Sequence, residues 1–125
     1  MPLSPARLGF GCDLVATADL KKLSARGALE RVMHPQEKEP RTLRHYAKIW
    51  ALKEACIKAL KLPPSAWLDL LVETPPDGPP RVRWLTRPEV TILATVSHAG
   101  GFTLACVLAL FPPGTTGRFS AKGAK

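Results

Sequence analysis

At 125 residues, 46% of them hydrophobic, the chain is sized for one small domain that buries only roughly 65% of its extended-chain surface, so it stands to gain from an oligomer. No run approaches the roughly 20 apolar residues of a membrane helix, and the first ten residues offer no basic segment followed by an apolar signal core, which makes a cytoplasmic protein the expectation. The net charge of +8 is concentrated in residues 1–62, where twelve Lys and Arg face six acids; this favours an anionic partner, while the sparse aromatics, not interleaved with basic residues, argue against nucleic acid.

Residues 8–15 read as a strand whose alternation sends Leu8, Phe10, Cys12 and Leu14 to one side and Gly9, Gly11, Asp13 and Val15 to the other. Asp13 thus shares a face with two glycines, which leave room for a ligand or another backbone to approach closely. A helical stretch follows over 17–32, with Thr17 as a cap and Gly27 as a weak point. The long helix is predicted over 41–61, with Pro40 at its first position and Pro63-Pro64 as its stop. In it Tyr46, Ile49, Trp50, Ile57 and Leu60 recur at helical intervals with Cys56 beside them, a face to be buried, while Lys53, Glu54 and Lys58 are expected near its edge. Glu54 and Lys58, four residues apart, share a face.

Residues 67–73 look like a strand, and Pro75-Pro76-Asp77-Gly78-Pro79-Pro80 a turn-rich connection to a returning strand at 81–86. The last two strands, 91–98 and 102–111, are joined by Ala99-Gly100-Gly101 as a short hairpin. The second is apolar on both faces, the signature of a central strand covered on both sides. Residues 112–125 read as a flexible basic tail, leaving 1–111 as the domain. Cys12, Cys56 and Cys106 sit among apolar residues at spacings that fit neither a disulfide framework nor a zinc ribbon, and read as small core side chains. His34 and His45 read as surface or helix-end residues.

Taken together, Gly11-Cys12-Asp13, the segment Glu30-Arg31-Val32-Met33-His34-Pro35-Gln36-Glu37, the helix motif Trp50-Ala51-Leu52-Lys53-Glu54-Ala55-Cys56-Ile57-Lys58-Ala59-Leu60, the turn Asp77-Gly78-Pro79 and the strand end Val96-Ser97-His98 resemble, in order and spacing, the holo-[acyl-carrier-protein] synthase family of 4′-phosphopantetheinyl transferases. The resemblance runs from about residue 8 to 110. It implies an α+β fold, an antiparallel sheet packed against a long helix, and a homotrimer with active sites at subunit interfaces. It also implies transfer of 4′-phosphopantetheine from coenzyme A to a serine of apo acyl carrier protein, in fatty acid biosynthesis. By the same resemblance Asp13 and Glu54 are the Mg²⁺ ligands, Lys58 meets the phosphates, Lys53 contacts coenzyme A, and His98 contacts coenzyme A or the partner subunit. An exposed Glu54–Lys58 ion pair, worth about 0.3–0.5 kcal/mol, is the plainer reading of Lys58, and solvation of the helix edge that of Lys53.

The chain departs from the family pattern at three places: Asp19 and Ile49 stand where the family carries arginine, and Lys61-Leu62-Pro63-Pro64 replaces a glycine-rich loop. Proline has no amide donor, so a backbone phosphate cradle there is disfavoured. These departures support an alternative expectation, a non-catalytic transferase-like domain that binds coenzyme A or a carrier protein.

Overall fold

Residues 7–114 are described by the computed structural model. They form strand β1 (Arg7–Ala16), helix α1 (Thr17–Ala25), the long helix α2 (Leu43–Leu60), strands β2 (Leu70–Glu73) and β3 (Arg81–Trp84), and strands β4 (Thr91–Ala99) and β5 (Phe102–Phe111). All strand pairing is antiparallel: β5 lies between β1 and β4, and β2 pairs with β3 in a separate ribbon. The α+β expectation, an antiparallel sheet packed by one long helix, is therefore what the chain adopts.

The first helix is shorter than its pattern suggested. It ends at Ala25 because Gly27 takes a left-handed φ of 70°, and a separate 3₁₀ turn, Leu29–Val32, follows. The capping position is Ala16, whose side chain makes no cap, so Thr17 is the first helical residue and not the cap. Likewise Pro40 stands outside α2. Thr42 caps that helix, its Oγ1 accepting the His45 N–H at 3.1 Å, and the helix begins at Leu43. At the far end Lys61 adopts a left-handed φ of 56° and the Leu62 N–H closes onto the Ile57 carbonyl at 3.0 Å, before Pro63-Pro64 forbids continuation. The β4–β5 hairpin turns on Gly100 and Gly101, both at positive φ (56° and 79°), the backbone a two-residue connection of this hand requires.

The core lies between α2 and the sheet. Ala47, Ala51, Ala55 and Ala59 form a fourfold-spaced row of small buried residues on α2, matched on the sheet by Gly9, Gly11, Ala105 and Ala109. The space left by the two glycines is taken by backbone: a Cβ on Gly9 would collide with the Ala59 carbonyl oxygen, and one on Gly11 with that of Ala55. β1 is thus pressed directly against the helix.

β5 is central, as expected, and α2 covers its face carrying Thr103, Ala105, Val107, Ala109 and Phe111; its other face, with Leu8, Phe10 and Leu14 of β1 and Leu93 of β4, is open in the single chain. One expectation is corrected on that face. Cys12 and Cys106 lie on that open face and are only partly buried, whereas Cys56 is a core side chain as expected. The expected tail, 112–125, opens with a turn at Pro113 and Gly114 and otherwise lies outside the described residues.

Replacing Gly11 by Ala should push β1 off the helix and cost about 1–3 kcal/mol, as overpacking of a close-packed interior does. Urea denaturation of Gly11→Ala against wild type, with an unchanged slope, is the measurement.

Candidate active site

Because β1 and α2 touch backbone to backbone, the polar groups at the rim of their contact meet. Asp13 follows Gly11 by two on the helix-facing side of β1, and Glu54 and Lys58 occupy successive turns of α2. The Lys58 Nζ donates to Asp13 Oδ1 at 3.1 Å and to the Cys12 carbonyl at 3.0 Å. The ammonium itself is largely solvent-exposed, while the Asp13 side chain is mostly shielded. Glu54 is half-buried, and its carboxyl is held above the usual carboxylate range by that burial and by the negative charge of Asp13, with Lys58 pulling it back. Two carboxylates and one ammonium therefore share a ledge in which negative charge is incompletely offset.

That donor set suits a hard divalent cation. Mg²⁺ characteristically takes one or two protein carboxylates and completes its shell with water and phosphate oxygens, so a pair of carboxylates suffices. Consistently, no group of three or more His, Cys, Asp or Glu side chains that could hold a metal occurs among the described residues.

Lys53 is not at the helix edge. It is fully buried, its Nζ donating to Glu37 Oε1 at 2.8 Å and to the Val32 carbonyl at 2.7 Å. Its expected contact with coenzyme A is therefore replaced by an internal ion pair, and burial holds the ammonium below its ordinary range against the pull of Glu37. Glu37, also fully buried, accepts the Val72 N–H at 2.6 Å and the His34 N–H at 2.7 Å, while the Glu37 carbonyl meets His45 Nε2 at 2.7 Å. His45 is therefore an interior residue in the first turn of α2, a helix-end position as expected but not a surface one, and burial lowers its basicity. Sequence reasoning missed the pair although a signal existed: 46, 49, 53, 56 and 60 follow the 3–4–3–4 spacing of a single buried stripe, with Lys53 at its centre.

His98 lies away from the carboxylates. With Arg44, His45, Lys48, Thr95 and the Pro75–Pro80 loop it borders an open cleft of about 650 Å³ at the N-terminal half of α2. Its Nδ1 is 2.7 Å from Thr103 Oγ1, and its basicity is lowered by burial and by the positive charges of Arg44 and Lys48. With Arg44 and Lys48 at its border, the cleft offers charge complementarity to an anion. Lys48 lies about 9 Å from Glu54 along the helix axis, so α2 links the cleft to the carboxylate ledge.

Of the departures from the family pattern, Asp19 is exposed in the first turn of α1, Ile49 fills the core, and Pro63 and Pro64 are exposed. Ile49 packs where a charged side chain would need a buried partner.

The model of the 4′-phosphopantetheinyl transferase superfamily matches residues 9–107. Among solved structures, the chain is similar to the Helicobacter pylori holo-[acyl-carrier-protein] synthase, determined in complex with coenzyme A. The two are 28% identical with a TM-score of 0.70, over 80% of this chain and 98% of that one. It is similar to the Mycobacterium tuberculosis acyl carrier protein synthase at 30% identity and a TM-score of 0.69, over 83% and 97% of the two chains. The coenzyme A complex of the Chronobacterium ammoniagenes protein, at 22% identity, shares the fold with a TM-score of 0.74, over 85% and 98%. No curated protein sequence matches the chain.

The two lysines of the helix motif should separate in a stability measurement. Lys53→Met leaves Glu37 buried without its counter-charge and should cost about 3–5 kcal/mol. Lys58→Met removes an exposed pair and should cost less than about 1 kcal/mol. Equal losses in urea denaturation would contradict this division of roles.

Proposed function

The chain belongs to the 4′-phosphopantetheinyl transferase superfamily, and from that premise we propose that it is a holo-[acyl-carrier-protein] synthase. In this reading it moves the 4′-phosphopantetheine arm of coenzyme A onto a serine hydroxyl of an apo acyl carrier protein, with Mg²⁺, and releases adenosine 3′,5′-bisphosphate. The observation that carries the reading is the meeting of Asp13 from β1 with Lys58 from α2 at 3.1 Å, one helical turn from Glu54.

In the reaction the serine oxygen forms a bond to the phosphorus that bears the pantetheine arm, and the bond from that phosphorus to the bridging pyrophosphate oxygen breaks. Asp13 and Glu54 would hold the Mg²⁺, which when bound supplies Lewis-acid polarisation of the pyrophosphate. Lys58, its Nζ exposed on the same ledge, stabilises negative charge gathering on the phosphate oxygens. Glu54 also orients the water that takes the serine proton. The cleft beside Arg44, Lys48 and His98 receives phosphate groups of coenzyme A, and Lys53 acts only from inside the helix, through Glu37.

The open sheet face supports assembly. Leu8 and Phe10 are each 68% exposed, Leu14 63% and Leu93 52%, a coherent apolar surface that a monomer would leave in water. Copies of the chain covering it would give the homotrimer. No helix among the described residues is long and apolar enough to cross a membrane; the place in the cytoplasm and in fatty acid biosynthesis is proposed from the family resemblance.

Intact-mass spectrometry of an apo acyl carrier protein incubated with the chain, coenzyme A and Mg²⁺ tests the activity. One phosphopantetheine mass should be gained, and chelation of the metal should abolish the gain. Asp13→Asn and Glu54→Gln should each lower turnover by more than about 100-fold with the fold retained. No gain with any of several carrier proteins, from folded chain that binds coenzyme A in calorimetry, would establish a binding module in place of the enzyme. Separately, Phe10→Lys should convert the assembly to monomers in sedimentation equilibrium, and an unchanged mass would exclude this face as the interface.

A further inference from the structure

Cys12 of β1 and Cys106 of β5 are direct partners in the ladder, with their Sγ atoms 3.3 Å apart on the open face of the sheet. The phase of that ladder is set at its end, where the Thr17 N–H donates to the Gly101 carbonyl at 2.9 Å, marking Thr17 and Gly101 as a hydrogen-bonded pair. Bonded and non-bonded pairs alternate along an antiparallel ladder, and the register runs without a bulge from Ala16↔Phe102 to Arg7↔Phe111. Counting back five pairs, Cys12 and Cys106 form a non-hydrogen-bonded pair. Such pairs hold their Cα atoms about 4.5 Å apart with side chains at closest approach, within the roughly 4.4–6.8 Å span of disulfides. Closing the remaining gap to a covalent bond calls for small side-chain rotations and leaves the strands in place.

We propose that Cys12 and Cys106 are a reversible dithiol–disulfide site that clamps the edge strand β1 to the central strand β5. The residue after Cys12 is Asp13, and the Cys12 carbonyl receives the Lys58 ammonium, so the clamp closes on the backbone that presents the carboxylate ledge. The oxidant is a low-molecular-weight disulfide. One cysteine thiolate attacks one of its sulfurs, forming a mixed disulfide and expelling a small thiolate. The second cysteine thiolate then attacks the protein sulfur of that mixed disulfide, forming the Cys12–Cys106 bond and expelling the other small thiolate. Two protein thiols are oxidised, one small disulfide is reduced to two thiols, and the protons pass to the leaving thiolates. Cys56 takes no part: it is wholly buried on α2, and burial pushes its thiol up to about 12. Where copies of the chain cover this face, exchange proceeds through the dissociated protomer, so the site is tested at equilibrium.

The full chain is incubated to equilibrium in a buffer of reduced and oxidised glutathione, quenched with acid for intact mass, and alkylated in denaturant for peptide mapping. The expected product is a single chain lighter by about 2 Da, with a Cys12–Cys106 peptide and one remaining free thiol at Cys56, restored by dithiothreitol. Because the bond closes a loop of about 95 residues, Tm should rise by on the order of 10 °C, and β1 amides should exchange more slowly. Cys106→Ser should show neither the internal bond nor the rise. Stable glutathione adducts on wild-type Cys12 or Cys106, a chain left fully reduced, bonds between chains, or an internal bond with no rise in Tm would each overturn the proposal.

Discussion

The structure depends on how closely β1 lies against α2. A strand normally keeps its distance from a helix by the length of its side chains; here Gly9 and Gly11 remove them, and the carbonyls of Ala55 and Ala59 occupy the space. Small residues on the helix and on β5 continue the same close seat across the sheet. Its consequence appears at the rim. Asp13 and Lys58 come from segments separated by 45 positions, yet their side chains meet at 3.1 Å. A bulkier sheet surface would hold the strand and helix apart, and Asp13 and Lys58 would no longer meet.

Closeness alone does not fix which face of α2 meets β1, and the buried Lys53–Glu37 pair supplies that constraint. A charge in the interior is tolerated only at one rotation of the helix, the one that delivers the ammonium to Glu37 and to the Val32 carbonyl. Glu54 follows Lys53 by about 100° around the axis and Lys58 lies within about 40° of Glu54, so placing Lys53 inward directs the other two outward to the strand. Glu37 also binds the Val72 amide, which ties the β2–β3 ribbon to the same point. That ribbon is closed at its other end by Asp69, which accepts from Trp84 Nε1 and from both the N–H and the hydroxyl of Thr86. The adjacent residues Lys53 and Glu54 thus divide the work: one holds the helix in place and the other faces the ledge it shares with Asp13 and Lys58.

Electrostatics and apolar surface are distributed to different sides of the molecule. The carboxylate ledge and the basic cleft both border α2, joined by about 9 Å of helix, while the opposite sheet face carries Leu8, Phe10, Leu14 and Leu93 in the open. Hydrated charge is therefore kept apart from surface that gains by association. The cysteine pair sits on the second side but belongs to the strand that serves the first.

Alternation and helical period were enough to expose the two faces of β1, most of α2 and both hairpin strands, because these depend on neighbours in sequence; the α+β class came with the family resemblance. They also placed Glu54 and Lys58 on one helix face, and the order of the motifs pointed to the family. What the sequence left open were matters of partnership across the chain. Lys53 reads as an edge residue until Glu37 is seen opposite it, His45 as a surface residue until its ring meets the Glu37 carbonyl, and Cys12 and Cys106 as unrelated core thiols until register sets them face to face. Likewise the apolar pattern of β5 shows two hydrophobic faces, but only the fold reveals that α2 covers one and leaves the other open. Period and propensity act over a few residues, whereas burial and pairing depend on which distant segments the closed chain brings together.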